Sequence, residues 1–408
     1  MSGKRTLWAW IVGGWLLGCS NPSIPTEKGE RWLPEPERLP PPEAFDWLVT
    51  GADTTDTTLE QWVARLRSAR LLWQRGRLVG ADPYSMFGII KDVAIDKEGR
   101  VVVLDFSYQE IRLFDRSGTF VTTVGRQGEG PGEFVQAGQL QLADNDTLYV
   151  YDNSRIMFLV YKKRKDNTYQ FHRNFVLSKY SSDHFCITQN RLFVYGTFYT
   201  FTQGGPLFLE FDLQGTIVWD FDVDGYYTTS DAFIYSTLIT ATIDCNKEFV
   251  AVSYRHHPII DIYQTSNRNK IYNMKIKYIF FIPKIYNNSK RKSITTFIPS
   301  SFIHKYNYTG KIDSYPSMLF LDHDILLYQF IRYEGEKGEV VRSYPLAYLI
   351  DVRRQKARRL DLRSFPFARV LAIRDTVLVG QRWDLLQAEV PHIAYYVIPQ
   401  AESQKAVL

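Results

Sequence analysis

The sequence predicts an all-β protein, folded as a six-bladed β-propeller of four-stranded antiparallel blades. Short apolar runs alternate with Asp, Asn and Gly turn residues over residues 93–125, a pattern typical of an antiparallel meander. Aromatic residues make up 15% of the chain, which suits pleated, half-buried strands. The hairpin pattern returns five times, beginning at Leu140, Phe185, Ala241, Met318 and Val370. Because the copies lie roughly 45 to 75 residues apart, at or above the usual blade length, we predict six blades.

The last copy is one strand short. Each hairpin is followed by a third apolar run, and five copies leave room for a fourth strand, such as residues 120–124. The sixth does not, because the chain ends at Leu408, shortly after Ile398. A blade without its outer strand exposes a row of unpaired N–H and C=O groups. We therefore predict that residues 70–73, which precede the first copy, supply this strand and close the ring.

The link that follows the first copy is rich in glycine and reads Gly-Arg-Gln-Gly-Glu-Gly-Pro-Gly-Glu-Phe over residues 125–134. Together with the first copy, it resembles an NHL-type blade, in particular that of the six-bladed propeller lipoproteins common in Bacteroidetes. The resemblance covers the first blade and its exit. It implies a propeller fold and a cell-surface setting, but no particular biochemical role.

The N-terminus has the features of a lipoprotein signal peptide over residues 1–19. Lys4 and Arg5 precede an apolar run from Leu7 to Leu17, which is too short to span a bilayer of ~30 Å. The sequence Leu-Leu-Gly-Cys at 16–19 resembles the bacterial lipobox, which implies that Cys19 carries a lipid anchor. An ordinary secretory signal is the alternative. Residues 20–56 contain a Pro- and Glu-rich stretch and are predicted to tether the protein to the outer membrane, on its periplasmic or surface side.

A short helix is predicted at residues 57–68, ahead of the propeller at residues 69–400. Thr57 and Glu60 match a capping box. The helix is expected to pack on the propeller rim through apolar residues at helical spacing. These residues are Leu59, Trp62, Val63 and Leu66. Residues 264–315 are rich in Lys, Asn, Ile and Tyr, which indicates an insertion in the fourth copy or a drift in the base composition of the coding DNA.

The remaining cysteines are interpreted as structural. Cys186 and Cys245 fall in the inner-strand regions of adjacent copies, and we predict two buried thiols, with a disulfide as the alternative. The absence of a Cys-x-x-Cys spacing disfavours zinc, and no metal or cofactor is predicted. The formal net charge is +5 over 408 residues, which favours neither nucleic acid nor another polyanion as the partner.

A binding face is predicted where loops gather. In an antiparallel meander, the loops between second and third strands share a face with the blade-to-blade links, and loops on a rigid scaffold carry function disproportionately. Polar residues of these loops are the candidates, and their arginines favour an anionic or carboxylate-bearing partner. The candidates are Asp105, Arg126, Glu129, Asp152, Arg155, Arg255, His256, His257, Arg332 and Arg382.

These features predict a monomeric propeller, held at the membrane by its lipid, that binds a protein, peptide or glycan in the cell envelope. The sequence contains neither a G-x-S-x-G nor an H-E-x-x-H motif, which favours a non-catalytic role. One alternative is a metal-dependent hydrolase or lactonase that uses the central channel. Another is a structural subunit of an envelope assembly.

Overall fold

The computed structural model describes residues 47–49, 56–76, 83–177, 180–198, 206–221, 241–254, 259–276, 310–337, 339–387 and 390–400. Within them, six four-stranded antiparallel meanders confirm the predicted all-β, six-bladed propeller. Each meander runs outward from an inner strand, and the inner strands of neighbouring blades contact one another around a central channel.

Three elements and a 3-10 helix (Pro83–Ser85) precede the first blade. The elements are β1 (Trp47–Val49), α1 (Thr57–Arg67) and β2 (Arg70–Arg75). Blade 1 consists of β3 (Ile90–Ile95), β4 (Val101–Asp105), β5 (Glu110–Phe114) and β6 (Phe120–Arg126). Blade 2 consists of β7 (Ala137–Leu142), β8 (Leu148–Asp152), β9 (Met157–Lys163) and β10 (Tyr169–Val176). Blade 3 consists of β11 (Tyr180–Thr188), β12 (Arg191–Phe198), β13 (Pro206–Asp212) and β14 (Ile217–Phe221).

The second half of the ring follows the same plan. Blade 4 consists of β15 (Ala241–Cys245), β16 (Phe249–Tyr254), β17 (Ile259–Gln264) and β18 (Lys270–Ile276). Blade 5 consists of β19 (Gly310–Phe320), β20 (Ile325–Glu336), β21 (Glu339–Asp351) and β22 (Lys356–Leu360). Blade 6 begins after a 3-10 helix (Leu362–Ser364) and consists of β23 (Arg369–Arg374), β24 (Val377–Gln381) and β25 (Ile393–Val397), with helix α2 (Trp383–Gln387) between the last two.

The fourth strand of blade 6 comes from the start of the chain. β2 pairs antiparallel with β25 and is the outermost strand of that sheet. Its side chains also reach blade 1. The ring nitrogen Nε1 of Trp73 donates a hydrogen bond to the carbonyl oxygen of Arg116 at 2.8 Å, and Nε of Arg75 donates one to the carbonyl oxygen of Gly118 at 2.8 Å. Gly118 has a φ of +81°, and the Trp73 ring occupies the space where a Cβ would project, so this contact requires glycine.

A further strand was not predicted. β1 pairs in parallel with β18 and adds a fifth strand to the outer edge of blade 4. It covers part of an edge that would otherwise carry unpaired backbone groups. The segment that leads into the propeller thus touches blade 4 before it reaches blades 5 and 6.

The hydrophobic core lies between the blades. Apolar side chains from the second and third strands of one blade pack against those of the next. Between blades 1 and 2, Leu104 and Leu113 belong to one buried cluster with Val150 and Leu159. The near-complete burial of these strands on both faces explains why they read as continuous apolar runs rather than as a clean alternation.

Polar side chains link neighbouring blades near the channel. In the described residues, five junctions carry hydrogen bonds between such a side chain and the main chain of the adjacent blade. The pairs are Asp92 with Leu140, Gln139 with Phe185, Asp244 with Phe320, Gln329 with Val370, and Arg374 with Ile95. The remaining junction, between blades 3 and 4, carries a disulfide bond between Cys186 and Cys245.

The prediction of two free thiols was therefore wrong. β11 and β15 lie side by side and place the two Cα atoms 5.9 Å apart, within the range that a disulfide spans. The sequence placed the cysteines in adjacent copies but contained no measure of the distance between their strands.

The N-cap of helix α1 lies one residue before the predicted one. The side chain of Asp56, not Thr57, accepts hydrogen bonds from the N–H groups of Thr58 and Leu59, as an aspartate at this position commonly does. Leu59, Trp62, Val63 and Leu66 are buried against blades 5 and 6, in agreement with the predicted packing. No helix in the described part of the chain is both long and apolar enough to cross a membrane.

The segment 264–315 is partly assigned to blades. Residues 270–276 form the outer strand of blade 4, and residues 310–315 belong to the inner strand of blade 5. Residues 277–309, together with the predicted signal peptide and residues 20–46 of the tether, lie outside the described residues.

Candidate functional site

The strand directions define two faces of the propeller. The loop-rich face, as we name it here, carries the connections between second and third strands and the blade-to-blade links. It includes residues 106–109, 127–136, 153–156, 382–387 and 390–392. The opposite face carries the tighter turns between first and second and between third and fourth strands, such as residues 96–100 and 115–119.

Two predicted residues of the binding face are buried. Asp105 and Asp152 have no exposed surface, and the carboxylate of each accepts hydrogen bonds from four backbone N–H groups. The donors are Gly88, Ile89, Ser107 and Tyr108 for Asp105, and Val135, Gln136, Ser154 and Arg155 for Asp152. Burial acts to raise the pKa of Asp152, but the hydrogen bonds from Val135 and Arg155 outweigh it and hold that pKa below its usual value. Both aspartates organise turns and are not available to a partner.

Three of the predicted arginines are also engaged inside the protein. Nε of Arg155 lies 2.7 Å from the Asp152 carboxylate. Arg382 forms a two-pronged ion pair with Asp384, at 3.0 and 2.9 Å. Arg332 lies on strand β20 rather than in a loop and is only 6% exposed. Arg332 therefore lies in the sheet rather than in a loop, whereas the side chains of Arg155 and Arg382 are 25% and 33% exposed, and their part in binding stays a prediction.

The link after blade 1 is a compact turn with an exposed surface. The Glu133 carboxylate accepts a hydrogen bond from the N–H of Gly130 at 3.0 Å and pairs with Nε of Arg126 at 3.1 Å. Phe134 is fully buried and anchors the end of the turn. The side chain of Arg126 is still 72% exposed, and Glu129 is exposed too. Of the predicted residues, these two face solvent, whereas Arg255, His256, His257 and Cys19 lie outside the described residues.

A central cavity lies within the ring, and its lining residues were not predicted from the sequence. It has a volume of about 1050 Å³ and is lined by the inner strands of all six blades. Lys91, Asp92 and Arg369 line it near the loop-rich face, because Ile90 and Arg369 are the first residues of their strands. Trp62 and Arg65 of α1 also line it. Nε1 of Trp62 donates a hydrogen bond to Asp322, in a turn of the opposite face, so α1 partly covers that end.

Two carboxyl groups in the channel have raised pKa values. Burial raises the pKa of Asp92 to about 6. Hydrogen bonds from the N–H groups of Leu140 and Val93 oppose this shift, as do the positive charges of Lys91 and Arg369. Burial raises the pKa of Asp244 to about 7, against a hydrogen bond from Phe320, and the negative charge of Asp92 adds to the increase. Desolvation disfavours the ionised form of a carboxyl group, which explains the direction of both shifts.

An acidic cluster on the opposite face has the geometry of a cation site. It comprises Asp96, Glu98 and Asp146, whose carboxylate oxygens lie within 4.8 Å of one another. The ammonium group of Lys163 contacts all three, at 3.6 Å from Asp96 and 3.3 Å from Asp146. Arg100 and Arg374 pair with Asp96 and Asp146 at 2.6 and 2.8 Å. Three side-chain cations thus balance three carboxylates, and Lys163 stands where a metal ion would bind.

Comparisons with known proteins agree with the fold. The family described as DUF5128, 6-bladed beta-propeller, matches residues 84–315, more than half of the chain. A protein of Bacteroides fragilis NCTC 9343 that is described as an exported protein is similar in structure. Its TM-score is 0.48 and its identity 12%, and the match covers 87% of this chain and 99% of that chain. A member of the DUF4221 family from Bacteroides vulgatus ATCC 8482 has a TM-score of 0.48, 11% identity and coverage of 82% and 99%.

The third comparison is with an enzyme. Virginiamycin B lyase from Staphylococcus aureus has a TM-score of 0.37, 8% identity and coverage of 76% of this chain and 95% of that chain. No curated protein matches the sequence. At such low identities and TM-scores, none of the three solved structures bears on a ligand or an activity.

Proposed function

We propose that this chain, which belongs to the DUF5128 family of six-bladed β-propellers, is a non-catalytic binding protein of the cell envelope. Its ligand would be a protein, peptide or glycan, bound at the loop-rich face. The observation that carries the proposal is the central cavity. It is of the size that ligand pockets have, and it reaches the loop-rich face at the exposed side chain of Lys91. Its other end is partly covered by α1, which favours entry from the loop-rich side.

The surface around this entrance on blade 1 suits a partner. Ile89 and Tyr108, both bound through their N–H groups to Asp105, are 55% and 54% exposed. Arg126 and Glu129 are exposed on the same face. Tyrosine and arginine contribute a large share of the binding energy at protein interfaces. Binding rather than metal-dependent hydrolysis is supported by Lys163, which neutralises the acidic cluster that resembles a cation site.

A matched pair of lysine variants tests the location of the site. Lys91 lies at the cavity entrance, and Lys165 is also exposed, in a turn on the opposite face. We expect Lys91→Glu to weaken binding to an array of bacterial envelope glycans and peptides by about tenfold, because it reverses a charge beside the ligand. Lys165→Glu is expected to bind as the wild type does, and both variants should keep its melting temperature. Equal binding by all three proteins would rule out this entrance as the recognition site.

An envelope location has two lines of support. The disulfide between Cys186 and Cys245 is the kind of bond that persists in oxidising compartments, and residues 16–19 resemble a lipobox. We propose that Cys19 carries the membrane anchor.

Replacement of Cys19 tests the anchor directly. We expect Cys19→Ser to move the protein from the membrane fraction to the soluble fraction, because several acyl chains on one residue hold a protein stably at a membrane. Fractionation followed by mass spectrometry of the N-terminal peptide measures both the location and the lipid. An unlipidated wild-type peptide, or a Ser variant that stays in the membrane fraction, would contradict the anchor.

A further inference from the structure

Arg369 is a cation inside the channel that the fold does not use. It is the first residue of β23, pairs across the sheet with Gln381 and is half-buried in the cavity wall. Its guanidinium makes no hydrogen bond or ion pair with the described residues. Burial lowers its pKa, and electrostatic interactions with Tyr333 and Asp92 only partly oppose the shift. An arginine keeps its charge even so, and a desolvated charge without an acceptor is costly.

The other cavity-lining groups near Arg369 do not supply its acceptor. The Asp92 carboxylate is held by the N–H groups of Leu140 and Val93, at 3.0 and 2.9 Å. Lys91, next to it on β3, is a second cation without a hydrogen bond or ion pair to the described residues. By contrast, Arg382, which directly follows the neighbouring strand β24 of the same blade, forms a two-pronged ion pair with Asp384. Among the described residues, the loop-rich end of the channel therefore holds two cations, Lys91 and Arg369, and one carboxyl group, that of Asp92.

We propose that this end of the channel binds the carboxylate group of its ligand, with Arg369 as the residue that grips it. The inference rests on the proposed function, since it assumes that the ligand enters at the loop-rich face. A planar guanidinium matches both oxygens of a carboxylate in a two-pronged pair. Lys91 adds a positive charge at the entrance and attracts the same group. The cavity of about 1050 Å³ has room for a sugar acid or the free end of a short peptide.

The neighbouring carboxyl group makes binding depend on pH. The groups that face Asp92 are Lys91 on its own strand, Arg369 on β23 and Asp244 across the channel. Its pKa is about 6, so at pH 8 it is ionised, repels a ligand carboxylate and competes for Arg369. At pH 5 it is mostly neutral, whereas a ligand carboxylate is still largely ionised. Affinity is thus expected to fall between pH 5 and pH 8, and Asp92→Asn should reduce that fall, with the remainder due to Asp244, whose pKa is about 7. His184 also lines the cavity, and the Asn variant separates its titration from that of Asp92.

Matched acids and amides test the assignment on the intact mature protein. Two pairs of probes distinguish the sources of a carboxylate: D-glucuronate with D-glucuronamide, and an acetylated dialanine with its C-terminal amide. Titration calorimetry is expected to show that the acid of at least one pair binds about tenfold or more tightly than its amide, since hydrogen bonds to a charged group are stronger than those to a neutral one. Arg369→Gln should abolish this preference, while Arg369→Lys, which keeps the charge but not the fork, should keep part of it.

Three outcomes would overturn the proposal. They are equal binding of acid and amide, an acid preference that survives in Arg369→Gln, and inorganic phosphate that binds as tightly as the better acid. The melting temperature of Arg369→Gln is expected to match or exceed that of the wild type, because the substitution removes an unpaired buried charge. If neither acid binds while Lys91→Glu still loses array binding, the ligand class is wrong and the proposed function stands. If Lys91→Glu has no effect on the array, the proposed function itself fails.

Discussion

Deletion of residues 1–85 is expected to lower the melting temperature far more than deletion of residues 1–47. The longer deletion removes α1 and β2 and leaves the outer edge of β25 unpaired. It also uncovers the surface of blades 5 and 6 on which Leu59, Trp62 and Leu66 are buried. Each large buried side chain contributes several kcal/mol, so we expect a loss of about 10 °C or more by calorimetry. The shorter deletion removes only Trp47 from the described residues, and its effect should be small.

A single substitution provides the control for this experiment. Trp62 is 5% exposed, and its ring nitrogen donates a hydrogen bond to Asp322 at 2.9 Å. Trp62→Ala should therefore destabilise the protein by about 3–5 kcal/mol without removing the closing strand. Equal melting temperatures for the two truncations would show that neither α1 nor β2 contributes to the stability of the ring.

Removal of the disulfide is expected to have the second-largest effect. Cys186 and Cys245 are 59 positions apart in sequence, and a cross-link that closes a loop restricts the unfolded chain, typically by about 2–4 kcal/mol of stability. The bond also joins blades 3 and 4, whose junction further contains a hydrogen bond from Arg191 to the carbonyl oxygen of Thr265 and an ion pair between Arg268 and Glu210. We expect the double variant Cys186→Ala/Cys245→Ala to unfold at a lower denaturant concentration than the wild type.

Reduction of the wild type checks the same bond in a different way. A reductant should lower the stability of the wild type to that of the double variant and leave the double variant unchanged. Peptide mapping without reduction should recover the peptides of Cys186 and Cys245 joined. Recovery of both cysteines as free thiols from protein isolated from the envelope would refute the bond and remove one support for an oxidising compartment.

The sequence alone determined the architecture, because the signals that specify a meander are local. The apolar runs and Asp/Gly turns over residues 93–125 are read within one blade, and their five returns predicted the number of blades that the structure shows. The shortfall of the last copy pointed to the segment that pairs with β25. The helix was predicted from the helical spacing of its apolar residues, although the side chain that accepts hydrogen bonds from its first N–H groups is Asp56 and not the neighbouring Thr57.

Only the tertiary structure decided which polar residues are available to a ligand, because that depends on partners from distant parts of the chain. Asp105 and Arg369 are both charged residues at strand ends, and nothing in the local sequence separates them. The turn around Asp105 surrounds its carboxylate with four N–H donors. Arg369 meets no acceptor among the described residues that line the channel around it. The distance between Cys186 and Cys245 was likewise set by the packing of two blades. A residue type fixes what a side chain can bind, and the packing of the blades decides whether that capacity is already used.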